Sequence, residues 1–326
     1  MAGKCRCRPY LRSRRDRGIS LIQSSFAESP ARVRFADPQR IVVVTNPKSR
    51  FSPDRLETMV RAHMPTDSTL HVRYTKPDTP IHGIIEDLLE EATVAIACGG
   101  DGTVSQVAAA ILDERIPLGV VPTGSTNMIA KVSGIPSDPE EAVRLIFGWH
   151  RRERIDVGRS GERLMLHLGG SGIDARIFIN ASTELKRRFR WGAYVPAALT
   201  SAMDKPAMYT VTVDGAVVKA RSSLVLVANS AQLLHSKIHL IDDVSRTDGK
   251  FDVLIYKAAN PISLAAAGLT SLTGHLETFG QVIRLRGTHI RIEADPPAPT
   301  ELDGEVVGTT PLEIDVLPNA IELIRG

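Results

Sequence analysis

The chain has 326 residues, 43% of them hydrophobic and 24% charged, room for two domains of about 100–200 residues and a sizeable core. No apolar run reaches the roughly 20 residues of a spanning helix, so any membrane contact is expected to be peripheral. Three cysteines, Cys5, Cys7 and Cys98, make no disulfide framework, which points to a reducing cytoplasm. Charge is uneven: residues 1–35 hold nine Lys/Arg against two Asp/Glu, and the remainder 31 against 35. Residues 1–37 read as a disordered basic arm without apolar period and without the apolar core of a secretory signal. The arm is open to three readings: an organellar transit segment, a grip on anionic lipid, or an inert extension.

Residues 41–44 (IVVV) are a short buried strand that leads into the turn TNPKSR. A helix is predicted over 54–63, a strand over 70–75 and a helix over 80–91. TVAIAC at 93–98 is another apolar strand, followed at once by GGDGT and a helix over 104–112. PLGVV at 117–121 is a third such strand, then PTGSTN and a helix, with one more helix over 139–148. Strand, loop and helix in repetition predict a parallel α/β sheet over 38–150, with ligands outside the carboxyl ends of the strands. From 151 the chain changes to short strands with Gly, Asn and Asp turns, interrupted by helical stretches near 178–203 and 261–275. Residues 151–326 are therefore predicted as a mainly antiparallel β-sandwich domain, with its final strands free to return to the first domain.

Three loops can carry chemistry. In GGDGT, Gly99 to Thr103, glycines let backbone N–H groups approach phosphate, and a helix N-terminus favours anions. Asp101 would repel a triphosphate unless a cation lies between them or it acts on the acceptor; the plain alternative is a tight turn with Asp as a helix cap. Asp101 is expected in an exposed loop, so that Asp101→Asn would leave melting unchanged. VPTGSTN, 121–127, offers the hydroxyls of Ser125 and Thr126 and the amide of Asn127. TNPKSR, 45–50, offers Asn46 and Ser49 with the charges of Lys48 and Arg50, and alone reads equally as a turn. His235 and His239 lie in a loop-like stretch and read as surface or packing residues. No GxxxxGK[ST] and no nucleic-acid module is present.

Together these loops, in this order and at this spacing, resemble the diacylglycerol kinase catalytic-domain family, which includes bacterial lipid kinases, sphingosine kinases and ceramide kinases. The likeness continues in LHLGGSGIDAR (166–176), KRRFRWGAY (186–194), TDGKFDVLI (247–255) and LDGE (302–305), and covers residues 40–326. It implies an α/β two-domain fold with the nucleotide in the cleft between domains, and an ATP- and Mg²⁺-dependent kinase acting on a lipid hydroxyl. It implies Glu305 as the proton acceptor, with Asp101 and Asp303 beside it in the catalytic set. The implied ATP contacts are Asn46, Pro47, Lys48, Ser49, Arg50 and Thr75, then Gly99, Gly100, Asp101, Gly102, Thr103, Val104 and Ser105, then Gly124, Ser125, Thr126 and Asn127. It implies a Mg²⁺ site of Ser245, Asp248 and the Lys250 carbonyl. Arg50 stands where the family has Gly, Gln106 where Asn is common, and Lys250 where an apolar residue is usual. Taken alone, Asp303-Gly304 reads equally as a hairpin turn.

The competing readings are a small-molecule kinase like the NAD kinases, which share GGDGT, and a non-catalytic nucleotide- or lipid-binding protein. The lipid reading draws on LKRRFRWGAY, 185–194, whose cations and interfacial aromatics suit an anionic membrane surface. A solvated basic helix face with inward aromatics is the plain alternative. The expected setting is cytoplasmic and peripheral to membrane, with a lipid substrate and no nucleic acid; a homodimer is left open.

Overall fold

The computed structural model describes residues 31–47, 51–76, 79–172, 175, 206–230, 243–257 and 282–326. The arm to residue 30, Lys48, Ser49 and Arg50, the predicted helices near 178–203 and 261–275, the 185–194 stretch, His235 and His239 lie outside the described residues.

The first half alternates strand and helix: β1 (Arg40–Thr45), α1 (Pro53–His63), β2 (Thr69–Tyr74), α2 (His82–Leu89), β3 (Val94–Gly99), α3 (Asp101–Ala110), β4 (Leu118–Pro122), α4 (Met128–Val132) and α5 (Pro139–Phe147). β1 pairs in parallel with β2 and β3, and β3 with β4. β1, β3 and β4 are continuous apolar runs because helices cover both faces, whereas β2 at the sheet edge is half-exposed. Val42, Val44, Ala95, Ala97, Leu118 and Val120 meet Ile85, Leu89, Val104 and Val107 of α2 and α3. Ile41, Val43, Ile96 and Val121 meet Leu56, Val60, Val143 and Ile146 of α1 and α5. α5 starts where DPEE predicts: Asp138 accepts from the N–H groups of Glu140 and Glu141, and Pro139 takes the first helical position.

The second half supplies β5 (Arg151–Ser160), β6 (Arg163–Met165), β7 (Leu168–Gly172), β8 (Ala207–Val213), β9 (Ala216–Ser222), β10 (Leu224–Ala228) and β11 (Phe251–Tyr256). It ends with β12 (Val282–Gly287), β13 (His289–Asp295), β14 (Pro299–Leu302), β15 (Glu305–Thr309) and β16 (Leu312–Arg325). One sheet runs β2-β1-β3-β4-β16-β13-β8-β9, with β5 paired to β16 and to β6. The other is antiparallel, β12-β11-β10-β7-β14-β15. Between them Tyr209, Val211, Ile290, Ile292 and Ile314 pack on Val225, Val227, Phe251, Val253 and Ile255, which gives the sandwich its core. The fold is thus α/β with a parallel-rich sheet and a β-sandwich. The 14-residue β16 joins the two halves, pairing antiparallel with β13 and β5 and in parallel with β4 through Leu323 and Leu118.

Candidate functional site

The loops after β3 and β4 meet backbone to backbone. Thr123 N–H donates to the Gly99 carbonyl at 3.0 Å. A Cβ on Gly124 would fall 2.5 Å from the Gly100 Cα, and one on Gly99 would collide with the Thr103 side chain. Glycine is needed here for close approach: neither Gly100 nor Gly124 adopts a positive φ. Gly100 is extended (φ −91°, ψ −174°) and precedes α3, so only the first part of GGDGT is loop. Asp101, Gly102 and Thr103 form the first turn of α3, which aims its free backbone N–H groups at this surface.

Asp101 is not in an exposed loop. It is 8% exposed, and its carboxylate accepts from Ile129 N–H at 2.9 Å and from Thr126 Oγ1 at 3.0 Å. It therefore caps α4, a task local sequence would give to Asn127. Asn127 is left-handed (φ 50°), makes no cap bond and donates to the Gly124 carbonyl at 3.0 Å. Asp101 thus ties GGDGT to PTGSTN, and it is buried in a structural contact where the sequence predicts an exposed loop residue.

The DGE segment reaches the same helix from the sandwich. Asp303 (φ 49°) and Gly304 (φ 84°) make the two-residue turn between β14 and β15, a geometry open to Asp-Gly and closed to most side chains. Asp303 accepts from Ser105 Oγ of α3 at 2.9 Å and from the N–H groups of Leu166, His167 and Leu168 at 2.7, 2.8 and 3.2 Å. Desolvation outweighs these donors and, with the charge of Asp101, pushes the Asp303 carboxyl up to about 6. Glu305 lies against Gly102: a Cβ there would fall inside the Glu305 carboxylate. Arg163 Nη1 on β6 stands 3.4 Å from Glu305 Oε2. Arg163 also lines a cavity of about 370 Å³ with Glu162, Thr300, Leu302 and Thr309.

The remaining expected residues are placed as follows. Asn46 and Pro47 follow β1, and Thr75 N–H donates to the Thr45 carbonyl at 2.9 Å, extending the β1–β2 pair. Cys98 is fully buried, and burial raises its thiol pKa. Ser245, Asp248 and Lys250 share the turn before β11. That turn is fastened by Asp156, a wholly buried carboxylate that accepts from Gly249 N–H at 2.7 Å and Asn319 N–H at 2.8 Å. Their oxygens are hard donors suited in kind to Mg²⁺, yet the one carboxylate among them is engaged. Asp248 Oδ1 accepts from Lys250 N–H at 3.1 Å, and Oδ2 is ion-paired with Arg286 of β12. Among the described residues no group of three His, Cys, Asp or Glu side chains is placed to hold a metal. As arranged, the trio does not fit the ion.

Arg163 and Asp156 escaped the sequence reading. Asp156 interrupts the apolar strand RIDVG, a signal of a buried acid with a task; Arg163 carries no local signal, since its partner is 142 residues away.

Comparison with known proteins follows the two halves. Residues 40–160 match the model of the diacylglycerol kinase catalytic domain, and residues 169–325 that of the YegS C-terminal NAD kinase beta sandwich-like domain. The chain belongs to the diacylglycerol kinase catalytic-domain family. Within the family it is 28% identical over 250 residues to a diacylglycerol kinase of Bacillus subtilis, covering 74% of this chain and 81% of that one. It is 26% identical over 282 residues to the uncharacterized protein sll0036 of Synechocystis sp., covering 81% of this chain but only 65% of that longer relative. A solved structure described as a diacylglycerol kinase from Bacillus anthracis superposes with a TM-score of 0.68 at 21% identity, covering 88% of this chain and 97% of that one. That likeness speaks for the fold.

Proposed function

We propose that the chain is an ATP-dependent lipid kinase that transfers the γ-phosphate of Mg·ATP to a lipid hydroxyl, with Glu305 as general base. The reading rests on one observation: the Glu305 carboxylate lies against Gly102 at the start of α3. A proton acceptor from the sandwich thereby meets the glycine surface suited to phosphate.

In this reading the backbone N–H groups at the start of α3 and the Gly100–Gly124 contact receive the phosphates. Asn46, Thr75 and Ser125 complete the nucleotide's surroundings, and the family resemblance adds Lys48, Ser49 and Arg50, which lie outside the described residues. Asp101 acts by holding the two glycine loops together. Asp303 acts by locking the turn that carries Glu305 onto Ser105. The acceptor oxygen attacks the γ-phosphorus, the bond to the bridging oxygen breaks, ADP leaves, and Glu305 takes the hydroxyl proton. General-base catalysis of this kind is typically worth about 10²–10⁴-fold.

A lipid acceptor is supported by the family and by the name of its Bacillus subtilis member. The proposed encounter is peripheral to the membrane, on its cytoplasmic side; among the described residues no helix is long and apolar enough to cross a membrane. The test is transfer from radiolabelled ATP with Mg²⁺ to a panel of diacylglycerol, phosphatidylglycerol, sphingoid base, ceramide and NAD. A labelled lipid is expected, with Glu305→Gln lowering kcat at roughly constant ATP affinity. Label on NAD alone would move the chain to the small-molecule kinases; loss of ATP binding in Glu305→Gln with kcat kept would make Glu305 a nucleotide ligand.

A further inference from the structure

The turn that should carry Mg²⁺ already holds a cation. Asp248 is ion-paired with Arg286, and the Arg286 position lies directly across the β11–β12 ladder from Asp252. Asp252 is wholly buried; desolvation raises its pKa, and Arg284 opposes the rise. Arg284 Nε reaches Asp252 Oδ1 at 2.7 Å and Arg286 Nε stands 3.8 Å from Asp252 Oδ2. Two carboxylates and two guanidiniums thus balance in charge.

We infer that Arg286 takes the place of the divalent cation at this turn, so that the turn before β11 is held without metal. Three observations carry this. First, both Asp248 oxygens are engaged, one by the Lys250 N–H and one by the guanidinium. Mg²⁺ sheds its water reluctantly and is usually held through one or two carboxylates, and the one carboxylate here is already paired with a guanidinium. Second, a dication arriving at Asp248 would meet the Arg286 guanidinium already in contact with it, a repulsion that partial burial leaves poorly screened. Third, the turn has an anchor that needs no ion: Asp156 receives Gly249 N–H and Asn319 N–H, and Asp156 N–H donates to the Arg246 carbonyl at 2.7 Å. Arg286 is a positioning residue, always charged and able to grip a carboxylate with two donors. The inference concerns the turn alone and is independent of the kinase reading; Mg²⁺ that arrives with ATP is a separate matter.

The experiment is thermal melting of the full chain without nucleotide, in EDTA and across a Mg²⁺ titration, for the wild type, Arg286→Gln and Asp248→Asn. The wild type should melt within about 1 °C in both conditions, since a ligand that does not bind the native state cannot shift it. Arg286→Gln should melt about 3–6 °C lower in EDTA. A Mg²⁺-dependent rise in the wild type that Asp248→Asn abolishes would overturn the inference, as would Arg286→Gln melting like the wild type in EDTA. Should Arg286→Gln fail to fold, Mn²⁺ counted by electron paramagnetic resonance on the wild type and Asp248→Asn decides alone. Equal binding supports the inference, and a bound Mn²⁺ lost only in Asp248→Asn sinks it.

Discussion

Gly102→Ala separates folding from turnover in one substitution. Gly102 is helical, in the first turn of α3, so alanine there should stabilise the helix by up to about 1 kcal/mol. Its new Cβ would occupy the space of the Glu305 carboxylate. That carboxylate ends a flexible side chain left 47% exposed, so it can swing away cheaply. Swinging away breaks the contact with Arg163, a surface pair worth under about 1 kcal/mol. The two effects offset to within about 1 kcal/mol, or a few degrees of melting temperature. Activity should behave differently: with the proton acceptor displaced, kcat should fall by about 10²–10⁴. Steady-state transfer to a lipid and a nucleotide-binding titration are read together, because ATP affinity should hold. A double-mutant cycle with Glu305→Gln closes the test. If Gly102→Ala acts by displacing Glu305, it costs little more once the base is gone, and the two losses do not add. Additive losses, or a wild-type rate in Gly102→Ala, would refute the reasoning.

Asp101→Ala should lower stability by about 1–2 kcal/mol, because the Ile129 N–H and the Thr126 hydroxyl lose their shared acceptor; chemical denaturation that shows no loss would deny Asp101 its capping role. Asp303 holds its proton more tightly in the native state than an ordinary aspartate at 3.8. Its contribution to stability is therefore greatest below about pH 4 and is lost as pH rises to about 6. Melting curves should show the wild type's advantage over Asp303→Asn shrinking from pH 4.5 to pH 7, and a constant difference would rule this out. Turnover should run the other way, falling as pH drops through about 6, because a protonated Asp303 accepts fewer of its four donors. In vesicle sedimentation the chain should favour anionic over neutral liposomes and lose binding with salt. Replacing Arg187, Arg188 and Arg190 by Gln should weaken it, and indifference to anionic vesicles would remove the proposed membrane encounter.

What could be read from the residues in order was what depends on neighbours in order. IVVV, VAIAC and LGVV read as buried parallel strands because both faces are covered, and so they lose the alternation of a one-sided strand. The glycine loops were legible because they stand at strand ends. Tasks settled by distant partners were not legible. Asp101 looked exposed because its acceptor duty is to Ile129, 28 residues on. The tripeptide DGE reads equally as a turn, and it is a turn; what raises it above one is the reach of Asp303 to Ser105 across 198 residues. The Asp248 turn had the oxygen donors of a metal site, but its cation comes from a strand 38 residues away. No window of local pattern spans such a separation.

The pairing of β16 has a bearing on how the molecule is made. Until residues 312–325 have left the ribosome, β4 has no partner on the side where Leu323 will lie, and neither β5 nor β13 has β16 beside it. The parallel strands are complete in the nascent chain some two hundred residues earlier, and they wait with an unpaired edge of the kind that recruits other strands. The two halves matched by separate family models are therefore poor candidates for separate expression. A product ending near residue 160 should be captured by chaperones or aggregate, and adding residues 312–325 as a free peptide should restore some of its solubility.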